Sequence, residues 1–238
     1  MGSLPSHPEL LDHLASQFVQ QDWSIKRLIR AIVLSRTYRM DSKSTPDAVA
    51  IDPENRWYWR MNRKRLPAEA IRDSLLSVAG DLDLTYGGSN IKAGTSIEYG
   101  YQFTSTRRSV YVPVFRNHLP EVFEVFDFAD PNTQSGSRTA SAVASQSLWM
   151  MNHPNVIART EQAARQLLNR SFASDEERIR FAHLQVLSRP PTEREMTVAT
   201  SLIVPNGARE DSSSASSLQR YAMLYRVLFQ CLAFRYLD

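Results

Sequence analysis

Cysteine is nearly absent from this chain of 238 residues, which contains Cys231 and no other. One cysteine excludes an internal disulfide. Because no C-x-x-C-H motif occurs, the chain also has no conventional attachment site for a c-type haem. Cys231 lies in the apolar run VLFQCLAFRYL with no adjacent basic or histidine residue. We therefore expect its thiol to be buried and unreactive.

Long apolar runs are missing as well. No window approaches eighteen consecutive apolar residues, so we expect no transmembrane helix and no membrane insertion. The amino terminus, MGSLPSHPELL, lacks the cationic and then apolar pattern of a signal peptide. The sequence as it stands predicts a soluble chain without an export signal.

A strong excess of one charge is also lacking. The formal net charge is +3, from 28 Lys and Arg against 25 Asp and Glu. This excess is too small to indicate a polyanionic partner, because nucleic-acid-binding proteins concentrate positive charge on one face. Hydrophobic residues make up 42% and charged residues 22%, which is typical of a globular protein.

Apolar residues recur at helical spacing along most of the chain. Capping patterns mark several helix starts, at Ser6 with Glu9, at Ser24 and at Thr192 with Glu195, and Gly80 is a helix stop. The stretch MDSKSTPDAVAIDPEN reads as a loop, and residues 207–217 as a mobile Ser-rich loop. The predicted helical segments are SHPELLDHLASQFVQ, WSIKRLIRAIVLSRTY, LPAEAIRDSLLSVAG, LPEVFEVFDF, SAVASQSLWMMN, NVIARTEQAARQLLN, DEERIRFAHLQVL, EREMTVATSLI and a last helix from Leu218 to Tyr236.

The period of the pattern changes once, from 3.6 to 2. In SIEYGYQF, Ile97, Tyr99, Tyr101 and Phe103 alternate with other residues, and SVYVPVF follows after a short TSTRR segment. This arrangement predicts a β-hairpin whose second strand, containing Pro113, lies at an edge. The fold class is therefore mainly α, a multi-helix domain over residues 1–238 with one small β-hairpin insertion.

The stretch RWYWRMNRKR, from Arg56 to Arg65, combines five cations with three large aromatic residues. Such a segment can grip single-stranded nucleic acid by charge and stacking. That function would require all five cations to be exposed on one face. Because a helix with a clear apolar stripe follows directly, we favour a structural role in which Trp57, Trp59 and Met61 enter the core, and we predict no nucleic-acid partner.

An acidic stretch, EVFEVFDFADPN, follows the predicted hairpin. Its carboxylates do not have the spacing of an EF-hand loop, and pairing with nearby arginines (Arg107, Arg108, Arg116 or Arg138) is the simplest interpretation. The alternative is a hydrolase or a glycan- or anion-binding domain, whose site requires Arg and Asp side chains to converge in a pocket near the hairpin. The candidate ligand-binding residues are Arg107, Arg108, Arg116, Asp127, Asp130 and Asn132.

The histidines show no metal-binding spacing. No two of the five lie four residues apart, no H-E-x-x-H motif occurs, and we predict no metal site. His118 lies three residues before Glu121, which is a weak hint of a two-ligand site. Met150, Met151 and His153 are possible haem ligands by type, but a helix end with packed methionines is the simpler interpretation.

Several long strings occur together in a fixed order, among them PSHPELLDHLASQF, NRWYWRMNRKRLPAEAIRDSLLSVAGDLD, RRSVYVPVFRNHLPEVFEVFDFADPN and SQSLWMMNHPNVIARTEQAARQLL. With these strings the sequence resembles the planctomycete-specific C-terminal domain, the domain-of-unknown-function family fifteen fifty-three, over essentially its whole length. The resemblance implies no assigned activity.

What the resemblance implies is context. Such domains usually end large planctomycete proteins whose upstream part carries a signal peptide, a cytochrome c domain and a second domain of unknown function. It therefore implies upstream domains as partners, haem c in those domains and no cofactor in this chain, and an exported, periplasmic or cell-surface location. Family members carry further residues before the PSHPELL string, so we expect an N-terminally truncated copy. On this basis we expect a non-catalytic helical module.

Overall fold

Helical periodicity in the sequence corresponds to eleven α-helices in the computed structural model, which describes residues 4–91, 95, 100–134, 138, 141, 143–204 and 214–237. The described residues also form one 3₁₀ helix and one two-stranded sheet, which confirms the fold class as mainly α with a small β element. The helices are α1 Pro8–Gln20, α2 Ile25–Leu34, α3 Pro46–Ile51, α4 Ala68–Val78, α5 Glu121–Val125, α6 Ala144–Asn152, α7 Pro154–Leu168, α8 Asp175–Leu187, α9 Glu193–Ile203, α10 Ser214–Gln230 and α11 Leu232–Arg235; the strands are β1 Lys64–Arg65 and β2 Tyr236–Leu237, and the 3₁₀ helix is Ser109–Tyr111.

The chain divides into two compact units. The first comprises residues 1–64 with 237–238, and the second residues 65–236. In the first unit α1 and α2 contact each other, and the ring of Phe18 meets that of Trp23 edge-on at 5.3 Å. No residue of α1, α2 or α3, all of them described, is buried. Among its described residues the first unit has no buried apolar side chain, so it lacks a hydrophobic core of its own.

The second unit contains the hydrophobic core. Its central helix is α10, which packs along α7 and also contacts α6, α8 and α9. On the far side of α7, α4 packs against α5, α7 and the 3₁₀ helix. Burial of each large apolar side chain stabilises the fold by about 1.5–3 kcal/mol. Side chains that are almost completely buried include Ile71, Phe123, Met150, Val156, Leu167, Ile179, Tyr225 and Phe229.

The predicted helix ends are confirmed at several positions. Thr192 and Glu195 form the reciprocal capping box at the start of α9, and the Ser24 side chain caps α2. At the end of α4, Gly80 has φ +69°, and its N–H bonds to the Ser77 carbonyl while that of Asp81 bonds to the Leu76 carbonyl. These two bonds form a Schellman motif, which requires the left-handed conformation that glycine adopts without strain.

The observed strands are not those of the predicted hairpin. Ile97 and Tyr99 lie outside the described residues, and the SVYVPVF segment begins as the 3₁₀ helix instead of a strand. The reason is α4, whose Arg72 and Asp73 bind polar groups of residues 105–109 in place of a partner strand. The two observed strands, β1 and β2, instead pair segments far apart in the sequence.

Other boundaries also differ from the sequence-based prediction. The loop MDSKSTPDAVAIDPEN contains α3, which begins at Pro46. The predicted capping box of Ser6 with Glu9 is wrong: α1 begins at Pro8, His7 is its N-cap residue without a side-chain cap, and the Ser6 hydroxyl lies 2.9 Å from His7 Nδ1. The last helix breaks at Cys231, where the backbone turns extended, and continues as α11 and β2. Residues 207–213 of the predicted Ser-rich loop lie outside the described residues, whereas 214–217 belong to α10.

Cys231 is only half-buried. Its thiol bonds to the Val227 carbonyl at 3.3 Å, and burial raises the pKa of the thiol. No helix in the described ranges is both long enough and apolar enough to cross a bilayer.

Candidate functional site

Arg107, the first of the predicted ligand-binding residues, organises a loop. Its guanidinium donates hydrogen bonds to three carbonyl oxygens of residues 85–88 and to Oδ1 of Asn90 at 3.1 Å. The same group lies 4.3 Å from the ring centre of Tyr111. A guanidinium has five N–H donors in a planar fork, which suits it to gather several carbonyls at once. Arg107 therefore holds the segment before the predicted hairpin in place.

Asp127 belongs to a second network, around Arg65. Its Oδ2 accepts from Arg65 Nη1 at 2.9 Å and from the Ser141 backbone N–H at 2.9 Å, and Gln146 Nε2 lies 3.3 Å away. Burial would raise the pKa of Asp127, but the Ser141 N–H and hydroxyl and the Arg65 charge together lower it below the ordinary value. Hydrogen bonds from these donors favour the charged form of the Asp127 carboxylate, which links Arg65 to Ser141 and Gln146.

The remaining predicted residues form a third group on the surface. Asp130 Oδ1 accepts from the Asn132 backbone N–H at 2.9 Å, the main interaction that lowers the pKa of Asp130. Asn132 Nδ2 in turn donates to the Arg116 carbonyl at 3.1 Å. The side chains of Arg108 and Arg116 are exposed. The structure thus brings Arg116, Asp130 and Asn132 together and places Arg107 and Asp127 in separate networks.

The basic and aromatic stretch is built around two buried polar residues. Asp52 accepts from the backbone N–H groups of Arg56 and Trp57, both at 3.0 Å, and Asn55 donates to the Arg60 carbonyl at 2.8 Å. The Trp57 N–H is the largest influence that lowers the pKa of Asp52. Trp59, half-buried, donates its Nε1–H to the Asp52 carbonyl at 2.9 Å.

The prediction that Trp57 enters the core was wrong, since 67% of this side chain is exposed. Because the backbone N–H groups of Arg56 and Trp57 bind the Asp52 carboxylate, the Trp57 side chain faces the solvent. Trp59 and Met61 are partly buried. Only 10% of the Arg65 side chain is exposed, so the five cations of the stretch do not all lie on the surface, as nucleic-acid binding would require.

An open cleft of about 750 Å³ in the second unit was not anticipated from the sequence. It lies between α4, residues 101–105, α5 and the first two turns of α7. This volume is in the range of sites that hold small molecules. Its charged and imidazole side chains are Arg72, His118, Glu121, Glu124, His153 and Arg159.

His153 holds Glu121 at one end of the cleft. Its Nδ1 accepts from the Asn155 backbone N–H at 3.2 Å, which leaves Nε2 as the protonated nitrogen that donates to Glu121 Oε2 at 3.0 Å. The imidazole stacks on Trp149 at 4.4 Å between ring centres. Both imidazole nitrogens are therefore engaged, and His153 is a positioning residue for the Glu121 carboxylate.

Two arginines also line the cleft. Arg159 Nη1 pairs with Asp81. Arg72 Nη1 donates to the Arg107 carbonyl at 2.9 Å, and only 13% of its side chain is exposed. Burial is the main cause that lowers the pKa of Arg72, and the positive charge of Arg159 lowers it further. The two cations are therefore close enough to repel each other.

A separate feature of the first unit is the apolar face of α2. Ile25, Ile29 and Ile32 lie on one side of this helix and are 65%, 53% and 39% exposed, respectively. The other side carries Lys26, Arg27 and Arg30, and α2 contains no acidic residue. We call this surface the α2 face. The sequence predicted the stripe itself but not its exposure.

In the described part of the chain, no group of three His, Cys, Asp or Glu side chains is placed to hold a metal ion. Sequence reasoning missed the cleft because its residues come from four distant segments. Two local signals were present: His118 lies three residues before Glu121, and the spacing of Asn155 and Arg159 places them on one face of α7.

Comparison with known proteins gives one match. The family model described as Protein of unknown function (DUF1553) matches residues 1–203 of the chain. No curated protein and no solved structure matches it.

Proposed function

The chain belongs to the family described as Protein of unknown function (DUF1553), and from this premise we propose that it is a non-catalytic, mainly helical module of a multidomain planctomycete envelope protein. Its role is to dock against the domains upstream of it in the same polypeptide, among them the domain that carries haem c. The docking surface is the α2 face. One observation carries this proposal: a strongly amphipathic helix leaves its apolar side exposed.

The chemistry of the α2 face favours a particular partner. Ile25, Ile29 and Ile32 form a continuous apolar stripe over two helical turns, the pattern with which an amphipathic helix enters a groove. Lys26, Arg27 and Arg30, on the other side of α2, favour a partner with acidic groups around that groove. A second copy of this chain is disfavoured as partner, because α2 contains no acidic residue that could pair with the cations of another α2.

The polar networks also favour a non-catalytic role. Asp127, Asp130 and Arg107 each bind groups of their own neighbourhood, and the imidazole of His153 has both nitrogens in hydrogen bonds. A general base needs a nitrogen or oxygen within reach of the proton that it accepts. The alternative of a hydrolase built on the predicted Arg and Asp residues therefore lacks a converging site.

The test begins with the reading frame upstream of this chain. The domain that it encodes next to the chain is produced separately, and its affinity for the chain is measured by isothermal titration calorimetry. We expect binding that Ile29→Asp weakens at least tenfold, which corresponds to about 1.4 kcal/mol. Because Ile29 is half-exposed, this variant should keep its fold, which circular dichroism checks.

Val198→Asp is the matched control, because Val198 is 61% exposed on another helix, α9. It should bind as the unchanged chain does. Absence of binding, or equal weakening by both substitutions, would overturn the proposal. So would a dimer of the chain alone that Ile29→Asp dissolves, or binding of the chain to anionic vesicles that the same substitution abolishes, since a basic amphipathic helix can also lie on a membrane surface.

A further inference from the structure

The cleft of the second unit is lined by side chains of both charges. We call the part around Glu121 and Glu124 its acidic end and the part around Arg72 and Arg159 its basic end. Glu121 and Glu124 lie three residues apart on α5, so their carboxylates share one side of that helix. His153, which binds Glu121, precedes Arg159 by six residues at the start of α7, a separation of about 9 Å along the helix axis.

The acidic end suits an ammonium group. His153 uses one lone pair of Glu121 Oε2, while a carboxylate offers about four such positions. Some 60% of the Glu121 side chain is exposed, and Glu124 is exposed as well, so both carboxylates are accessible. Two negative charges on one helix side repel each other, and a cation between them relieves that repulsion.

The basic end suits a carboxylate. The bond to Asp81 engages Nη1 of Arg159, and a guanidinium has further N–H donors at Nε and Nη2. Arg72 lies near enough for its charge to be opposed by that of Arg159. An anion placed beside Arg159 would lower this repulsion and could form the bidentate bonds that guanidinium groups make with carboxylates.

The rest of the lining is mostly uncharged. Phe103, Leu75 and Val122 contribute apolar surface there, and residues 101–105 run along the cleft outside any helix. A chain of two or three extended residues spans about 7–10 Å. That length is close to the rise of about 9 Å from His153 to Arg159 along α7.

From this geometry we propose that the cleft binds a short zwitterionic peptide of two or three residues. The peptide ammonium lies at Glu121 and Glu124, and its carboxylate at Arg159. His153 acts as a positioning residue that fixes the Glu121 carboxylate. The proposal goes beyond the docking function and is independent of it, because the α2 face belongs to the first unit and the cleft to the second.

Isothermal titration calorimetry of the full chain tests this assignment. The probes are trialanine, N-acetyl-trialanine, which lacks the ammonium, and trialanine amide, which lacks the carboxylate. We expect trialanine to bind and each blocked peptide to bind at least tenfold more weakly. In Glu121→Gln the difference between trialanine and its acetylated form should shrink, and in Arg159→Gln the difference between trialanine and its amide should shrink.

The controls are Glu161→Gln and Arg165→Gln, an exposed pair on the same helix, α7, whose charged groups lie 3.6 Å apart. Neither should change the affinity for trialanine. If Arg159→Gln unfolds through the loss of its bond to Asp81, Glu121→Gln still decides, because its side chain is largely exposed.

Three results would overturn the proposal: no binding of trialanine, equal binding of the free and blocked peptides, or equal effects of the cleft and control variants. Binding of glucuronate but not of trialanine, lost in Arg159→Gln, would show an acidic sugar instead of a peptide. None of these results bears on the docking test, whose variants lie in the first unit.

Discussion

Arg65 and Asp127 form a partly buried ion pair, with 2.9 Å between Nη1 and Oδ2 and with 10% and 24% of the two side chains exposed. The pair fixes the chain that leads into α4 to the turn that follows α5. Asp127 has φ +59°, a conformation that Asp and Asn tolerate better than most residues. The carboxylate that the sequence placed near Arg116 is therefore held by an arginine more than sixty residues earlier.

This pair should be a stabilising interaction that a double-mutant cycle detects. Exposed ion pairs contribute about 0–1 kcal/mol, and breaking a buried pair singly costs about 3–5 kcal/mol. For this intermediate burial we expect Arg65→Gln and Asp127→Asn each to lower the free energy of unfolding by about 2 kcal/mol. Asn keeps the tolerance for positive φ, so the second substitution isolates the charge. Urea denaturation of both variants and the double variant measures the coupling.

Arg116→Gln is the matched control in the same cycle. Arg116 is exposed and meets the acidic turn through its backbone carbonyl, which the substitution leaves in place. Its coupling to Asp127→Asn should be near zero. A larger coupling for Arg116 than for Arg65 would contradict the pairing.

Glu195 should make the free energy of unfolding depend on pH in the acidic range. Its carboxylate binds Arg189 through two hydrogen bonds of 2.8 and 2.7 Å, which, with the Thr192 cap, lower its pKa from 4.5 to about 2 against the opposing effect of burial. A lowered pKa stabilises the fold above the ordinary pKa, and this contribution is lost as the pH falls from 4.5 towards 2. Because a third of the side chain is exposed, we expect about 1–2 kcal/mol from the pair and cap together.

Urea denaturation of Glu195→Gln at pH 7 and pH 2.5 tests this expectation. The variant should be less stable than the unchanged chain at pH 7, and the difference should be smaller at pH 2.5. Glu193→Gln, in the same first turn of α9, is the matched control and should show a smaller effect at both values. If the difference in free energy of unfolding between the variant and the unchanged chain did not depend on pH, the charge of Glu195 would not contribute to stability.

Local signals predicted the helices well because they depend on neighbouring residues. The capping box of Thr192 with Glu195 and the stop at Gly80 involve groups within five residues of each other, and both were predicted. The short helix α3 was missed because polar segments and the proline Pro53 surround it, as in a loop, although Pro46 suits a first turn.

Long-range partners could not be predicted in the same way. The pairing of Arg65 with Asp127, and of α4 with residues 105–109, depends on how the helices pack, which periodicity does not specify. The cleft is the extreme case, since its two charged ends come from separate helices. By contrast, the apolar stripe of α2 was evident in the sequence, and only its exposure needed the structure.

Gly80 should tolerate no side chain. Its φ of +69° costs a residue with a Cβ about 1–2 kcal/mol, and an added Cβ would also clash with the Gln166 side chain. Gln166 in turn donates to the Ala79 carbonyl at 2.7 Å. We expect Gly80→Ala to lower the free energy of unfolding by about 2–3 kcal/mol, measured by urea denaturation.

The control for this prediction is Gly88→Ala. Gly88 also has a positive φ, +78°, but a Cβ there would meet no other atom. Gly88→Ala should lower the free energy of unfolding by only about 1–2 kcal/mol, the conformational cost of a Cβ at positive φ. Equal losses at both glycines would rule out the contact with Gln166 as a contribution.

Asn55 should be the residue on which the basic and aromatic stretch depends most. It is 2% exposed, has φ +54°, and donates to the Arg60 carbonyl at 2.8 Å and to Asn62 Oδ1 at 2.9 Å. Asn55→Gly keeps the conformation but leaves these acceptors unpaired, at a cost of about 1–3 kcal/mol. Asn55→Ala adds the strain of a Cβ at positive φ, about 1–2 kcal/mol more.

Hydrogen exchange of the Arg56, Trp57 and Arg60 amides reads out this local stability, since 1.4 kcal/mol corresponds to tenfold faster exchange. Protection should fall in the order unchanged chain, Asn55→Gly, Asn55→Ala. Asn152→Ala, at an exposed helical position in α6, should leave it unchanged. If Asn55→Gly exchanged like the unchanged chain, the side-chain hydrogen bonds would not hold the stretch. If the protection of these amides were the same in the two Asn55 variants, the strain of a Cβ at positive φ would not contribute to local stability.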